Sequence, residues 1–264
     1  MKTIVRDLTK EDPIYKNIDK IRIIPLSDIH LGSKQLNKGL LLDTITEIQS
    51  NTDTFTILNG DLVDMTLKNS IGSVYENEFT PMKQVELLIQ LLEPIKDKIL
   101  VVTTGNHERR IEKDTSIDIL KLVCSQLGIA DRYASGAWYL YLYFGDKQYG
   151  RKAPMCYTIC GNHGYGGGRA MGGKANRLVD MSNIAVADLY IMSHTHTPMS
   201  TKKCIYIPDY GNRTLILREM HYLMTNSFME HSDSYGEVQG YHPCSTSITE
   251  AMLNGRVRQI KVVI

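Results

Sequence analysis

Ile21-Arg22-Ile23-Ile24-Pro25-Leu26-Ser27-Asp28-Ile29-His30 is the stretch on which the reading of this chain turns. Residues 21–26 are apolar and β-branched and read as a strand, and the polar Ser27-Asp28-Ile29-His30 reads as the loop after it. The same grammar recurs twice. Residues 55–58 form a short strand signal ending at Asn59-Gly60-Asp61, and residues 99–102 form another ending at Gly105-Asn106-His107. Between them, residues 40–48 have helical spacing, and residues 81–92 read as a helix with Pro81 in its first turn. A further helix is expected over 116–127, closed by Gly128. Strands alternating with helices argue an α/β sheet.

Farther along, strand signals fall at 138–144, 155–159, 189–192, 204–207, 214–217 and 222–225, with a closing run at 257–264. This half is strand-rich, so the sheet structure is expected to be mixed. No repeat, low-complexity tract or linker interrupts the chain, and residues 1–264 read as a single domain.

Composition narrows the function classes. The net charge is +1, which does not support a large surface for duplex DNA. No apolar run approaches the ~20 residues needed to cross a bilayer, and the charged start at Met1-Lys2-Thr3 lacks a signal-peptide core, so no membrane association is expected. The five cysteines are odd in number and scattered, which points to a reducing cytoplasm. Cys156 and Cys160 lack a second pair and do not form a zinc ribbon.

Five polar clusters follow strand signals: Asp28-Ile29-His30, Gly60-Asp61-Leu62-Val63-Asp64, Gly105-Asn106-His107-Glu108, Gly161-Asn162-His163-Gly164 and His194-Thr195-His196. Open α/β sheets bind ligands at the carboxyl ends of their strands. Carboxylate oxygen and imidazole nitrogen suit manganese, iron and zinc. In Asp-x-His, residues two apart on an extended segment point to one side, so both reach one ion, and His194 and His196 could share a centre in the same way. Asp61 has two oxygens and could bridge. Two metals held ~3.5–4 Å apart would clamp the attacking and leaving oxygens of a phosphate and generate hydroxide at neutral pH. No serine or cysteine nucleophile with a partnered base is then required.

D-x-H, G-D-x-x-D, G-N-H-E, N-H-G and H-T-H in this order resemble the signature of the calcineurin-like metallophosphoesterase superfamily, over residues 28–196. The resemblance implies a four-layered α/β/β/α sandwich with two mixed sheets and a dinuclear hydrolase of phosphate esters. It also implies that Asp28, His30, Asp61 and His196 hold one metal, and that Asp61, Asn106, His163 and His194 hold the other. Manganese is the first expectation, iron or zinc the alternatives. His107 would contact the phosphate and protonate the leaving group, and Asp64 would orient a neighbour. Ser193 stands where the family usually has glycine, and Thr225-Asn226-Ser227-Phe228 resembles a T-G-S tail with Asn226 in the glycine place.

Several features are read two ways. Trp138, Tyr139, Tyr141 and Tyr143 could stack bases, but alternation of this kind favours a half-buried strand. Arg109 and Arg110 either reach the substrate phosphate or begin a solvated helix. Gly168 to Lys174 matches G-x-x-x-x-G-K, but Ala175 stands where a phosphate loop needs Ser or Thr. This segment is expected to be a flexible loop at the rim, where Arg169, Lys174 and Arg177 would meet an anionic substrate. His221, His231 and His242 match no cluster. The expected substrate is a phosphodiester, a nucleotide or single-stranded nucleic acid. A protein phosphatase is second, since Thr104 occupies the place of that branch's arginine, a small phosphomonoester hydrolase is third, and a non-catalytic scaffold keeping the fold is the reading from another class. Only 68 residues follow His196, and they must also finish the sheet. This argues against the break-repair nucleases with their substantial capping region, while leaving single-strand or small-substrate cleavage open.

Overall fold

The computed structural model describes residues 1–67, 77–145, 154–232, 235–238, 240, 242–243 and 247–264. In chain order its elements are β1 (Lys2–Asp7), α1 (Leu8–Glu11), β2 (Lys20–Leu26), α2 (Lys38–Ser50), β3 (Thr54–Asn59), α3 (Pro81–Leu92), β4 (Ile99–Thr103), α4 (Asn106–Thr115), α5 (Ile119–Gln126), β5 (Tyr133–Ala134), β6 (Trp138–Phe144), β7 (Met155–Asn162), α6 (Met171–Asp180), β8 (Leu189–Met192), β9 (Met199–Asp209), β10 (Thr214–Met224), β11 (Glu250–Asn254) and β12 (Ile260–Val263).

The strands form two sheets, ordered β12-β11-β2-β3-β4-β5 and β1-β6-β7-β8-β10-β9. Both are mixed. β2, β3, β4 and β5 run parallel while β11 is antiparallel to β2, and β7, β8 and β10 run parallel between antiparallel neighbours β6 and β9.

The period of two along each strand divides the side chains into layers. Ile21, Ile23, Phe55 and Ile57 face Trp138, Leu140 and Leu142 in a core between the sheets. Ile24 and Leu26, on the alternate face, pack with Leu41 of α2, Leu88 of α3 and Val123 of α5. Tyr139, Tyr190 and Tyr222 on the far face of the second sheet are covered by Leu178 of α6. The result is the four-layered α/β/β/α sandwich, and each fully buried large side chain in it contributes ~1.5–3 kcal/mol over leaving it in water. Trp138 is wholly buried between the sheets and the hydroxyl of Tyr139 donates to the Val186 carbonyl, so this strand is core and not a base-stacking platform.

Asn59, at the end of β3, ties the sheets together. Its amide donates to the Asn162 carbonyl at 2.8 Å and to Ser193 Oγ at 2.7 Å, while its oxygen accepts from the Trp138 indole at 3.1 Å. Ser193 therefore does more than replace a glycine: its hydroxyl is a buried acceptor in this bridge.

Several boundaries differ from the sequence reading. Asp118 caps α5 through the Lys121 N–H, so the helix expected from residue 116 starts at Ile119. The preceding α4 is too polar to show an apolar stripe. The separate strand signals at 204–207, 214–217 and 222–225 belong to one long hairpin, β9–β10. Residues 171–174, expected in a loop, are the start of α6.

Candidate metal centre

Asp28, His30, Asp61, His194 and His196 all follow strand ends, and all have left-handed backbone, with φ of 50°, 51°, 50°, 73° and 49°. The two pairs, Asp28 with His30 and His194 with His196, are therefore kinked rather than extended as their spacing predicts. For a residue with a Cβ this region costs on the order of 1–3 kcal/mol, and it persists only where surrounding structure enforces it.

Backbone pairing enforces it here. Asp28 N–H donates to the Gly60 carbonyl, His30 N–H to Asp61 and Leu31 N–H to Leu62, each at 3.0 Å. Phe228 N–H closes the other side by donating to the Asp28 carbonyl at 3.1 Å, which is how the tail at residues 225–228 reaches the site. Gly60 and Gly105 allow the loops to meet: a Cβ on Gly105 would lie 2.1 Å from Asp61 Oδ1, and one on Gly60 2.6 Å from the Gly105 nitrogen.

Glu108 locks this contact, a role that the sequence alone does not reveal. It is buried, and its carboxylate accepts from the N–H groups of Asp61, Leu62, Val63 and Gly105 at 3.1, 2.7, 3.3 and 2.9 Å. Burial pushes its pKa up to about 7, and Asp61 adds to the rise. Four donors aimed at two oxygens fit the ionised form.

Two sets of side chains converge. Ligand atoms of Asp28, His30 and His196 lie within 4.8 Å of one another, as do those of Asp61, His163 and His194. The two histidines of His194-Thr195-His196 thus part company, one to each set. In the first, His196 Nε2 is 3.2 Å from Asp28 Oδ1 and 3.4 Å from His30 Nε2. In the second, His163 Nε2 is 3.1 Å from Asp61 Oδ2 and 3.2 Å from Asn106 Oδ1. A third set, His30, Asp64 and His107, shares His30 with the first.

The rings are oriented from behind. His163 Nδ1 donates to the Asn59 carbonyl at 2.8 Å, which aims Nε2 at Asp61. His30 Nδ1 faces Asp64 Oδ1 at 3.4 Å. Asp28 Oδ2 accepts from the His194 N–H at 3.1 Å, while the buried Asp28 Oδ1 faces His196 Nε2 at 3.2 Å. Burial opposes charge on His163, but Asp61 and then Asp28 outweigh it and raise its pKa to about 10. Burial likewise opposes ionisation of Asp61, yet His163 and His107 hold its pKa well below the ordinary value. The carboxylate oxygens and imidazole nitrogens gathered in each set fit divalent cations.

The arginines divide. Arg109 donates to the Ser135 carbonyl. Arg110 donates to His107 Nε2 at 2.9 Å. Arg169 is exposed on the loop before α6. Arg177 donates to the carbonyls of Tyr165 and Gly173 at 2.7 and 3.1 Å, and Lys174 is buried. Thr104 bonds the Tyr133 hydroxyl at 2.8 Å. His221 lies on β10 beside Glu219, apart from these groups.

A profile of the calcineurin-like phosphoesterases matches residues 21–198. The chain belongs to that family. With membership comes metal-dependent hydrolysis of phosphate esters. Among solved structures, this phosphoesterase is similar to a metallophosphoesterase from Sphaerobacter thermophilus, at 12% identity over 92% of this chain and 86% of that chain, with a TM-score of 0.44. It is also similar to the nuclease MPE of Pseudomonas putida (10% identity, 95% and 89% covered, TM-score 0.35). A third is GAP50, the anchor in the inner membrane complex of Plasmodium (13%, 93% and 85%, TM-score 0.41). A comparison with curated proteins found no match. No helix among the described residues of this phosphoesterase is long and apolar enough to cross a membrane.

Proposed function

We propose that this chain is a dinuclear phosphodiesterase acting in the cytoplasm on nucleotides or single-stranded nucleic acid. The observation that carries the dinuclear reading is the convergence of two carboxylate–imidazole sets, one around Asp28 and one around Asp61. Asp28, His30, Asp61 and His196 would hold one ion, and Asp61, Asn106, His163 and His194 the other, with Mn²⁺ first and Fe or Zn²⁺ as alternatives. The bound ions supply charge stabilisation for the phosphate and activation of water.

The protein's own groups do the rest. Asn59 and Asp64 hold the rings of His163 and His30 in place. His107 lies beside Asp61, its Nε2 4.0 Å from Asp61 Oδ2, where it would contact the phosphate and the leaving oxygen. What supports a preference for a diester is where three of the cations go. Arg109, Lys174 and Arg177 each donate to the protein's own oxygens, and Thr104 offers no charge. A phosphomonoester dianion asks for more cationic donors than a diester monoanion. The cysteines described, Cys124, Cys156, Cys160 and Cys204, are all free, in keeping with a reducing compartment.

A substrate panel tests this reading. Single-stranded DNA, duplex DNA, cyclic nucleotides, p-nitrophenyl phosphate and a phosphopeptide are each incubated with the Mn²⁺-loaded protein. Faster turnover of the diesters is expected. Preference for the phosphopeptide or the aryl monoester would replace the diester assignment with a phosphatase.

A further inference from the structure

Lys174 is the lysine of the G-x-x-x-x-G-K look-alike, and it has no phosphate-loop context. It lies one turn before Leu178 on the buried face of α6, and its relative exposure is 7%. Lysine is seldom found this deep unless its ammonium is hydrogen-bonded, because desolvating the charge is costly. Here Nζ donates to Thr197 Oγ1 at 2.6 Å and to the Thr195 carbonyl at 3.4 Å. Those two acceptors flank His196. Thr197 Oγ1 also donates to the Thr195 carbonyl at 2.9 Å, so lysine and threonine together close a small ring around the turn.

That turn is the one whose two histidines both have left-handed backbone and point to different ligand sets. Its local alternatives are lower in energy, and something must hold it. Asp28 does so from the first sheet through the His194 N–H. From the second sheet's side, the Lys174 ammonium contacts it, as does the Met224 sulfur, which accepts from Thr195 Oγ1 at 2.8 Å.

We propose that Lys174 is a positioning residue that fixes the His194-Thr195-His196 turn, so that one imidazole serves each metal. The inference rests on the dinuclear reading above. Lys174 touches neither substrate nor metal in this account. Its effect is on metal affinity at both positions at once, because one turn feeds both.

Lys174→Met keeps length and packing and removes the ammonium. Mn²⁺ binding to the chelator-treated protein is followed by calorimetry, with the metal-free melting temperature measured in parallel. Supporting contacts of this kind change metal affinity by ~10–100-fold, and a weakening in that range is expected for both ions. Lys174→Arg should recover part of it. A lysine that only stabilised the fold would lower the melting temperature and leave the affinity of the folded protein unchanged, and that result overturns the proposal. Weakening at one position alone also overturns it. If Lys174→Met does not fold, Thr197→Val, which removes the closer acceptor, is read together with Lys174→Arg. Weakened binding of both ions supports the proposal, and wild-type affinity in both variants overturns it. Wild-type protein that binds no Mn²⁺, Fe²⁺ or Zn²⁺ would remove the dinuclear reading itself, an outcome separate from a variant that binds as well as wild type.

Discussion

The carbonyl oxygen of Asp64 accepts a hydrogen bond from Nδ1 of His107 at 2.5 Å. A carbonyl cannot donate, so Nδ1 carries the hydrogen and Nε2 is left as an acceptor, which the Arg110 guanidinium satisfies at 2.9 Å. Burial pushes the His107 pKa down to about 4, and His30 and Arg110 add to the fall. His107 thus faces the centre as neutral imidazole at pH 7. To protonate a leaving oxygen it must carry its proton on Nε2, where Arg110 now bonds.

This makes the role of His107 testable by leaving group. His107→Ala should keep both metals and lose ~10²–10⁴-fold with alkyl leaving groups, the contribution of a general acid. The loss should be much smaller for p-nitrophenolate, which departs without a proton. Equal losses on both substrates would assign His107 to transition-state electrostatics.

Asp61 accepts from the His107 N–H at 2.9 Å through Oδ1 and faces His163 through Oδ2. Grouped with His163 and His194 and contacted by His107, it is the proposed bridge. Asp61→Asn is expected to reduce turnover to background and to lower metal content from two equivalents, measured by elemental analysis. Near-wild-type turnover at full occupancy would dismiss the bridging role.

His163 sets a pH dependence. Its pKa, near 10 in the chain without metal, lies above the unfolded value, so at pH 7 it is protonated. A metal ligand must be neutral, so binding should release about one proton at pH 7, and affinity should fall about tenfold per pH unit below that pKa. Calorimetry in buffers of different ionisation heat counts the protons. Metal uptake without proton release at pH 7 would contradict the assignment of His163.

Much of this was legible in the chain. Pro81 marks the first residue of α3, and the apolar runs at 138–144 and 189–192 coincide with β6 and β8, because those elements are buried and sharply bounded. The polar clusters fall at strand ends as read. The left-handed kinks at Asp28, His30, His194 and His196 were not legible, because pairing between distant loops imposes them. Arg109 resembles a substrate ligand in sequence, but on α4 it reaches Ser135, and only the fold shows that direction. Glu108 is visible in Gly105-Asn106-His107-Glu108. Its job is not, since three of its four N–H partners lie more than forty residues away.

Glu108 carries its own prediction. A glutamine there has one acceptor oxygen, so Glu108→Gln leaves part of the four-donor set unsatisfied and turns an N–H toward it. A buried unsatisfied group costs ~1–3 kcal/mol, and the denaturation midpoint should fall accordingly. Weaker metal binding should accompany it, because Gly105 and Asp61 are no longer held together. Unchanged stability would mean that the loops hold their geometry without it.

The central claim is metal-dependent hydrolysis at two ions. Its most direct test is turnover of bis(p-nitrophenyl) phosphate by chelator-treated protein titrated with Mn²⁺. No turnover is expected before addition, with activity returning to a plateau at two equivalents per chain. Undiminished turnover after chelation, or none at any Mn²⁺ concentration, would contradict the account.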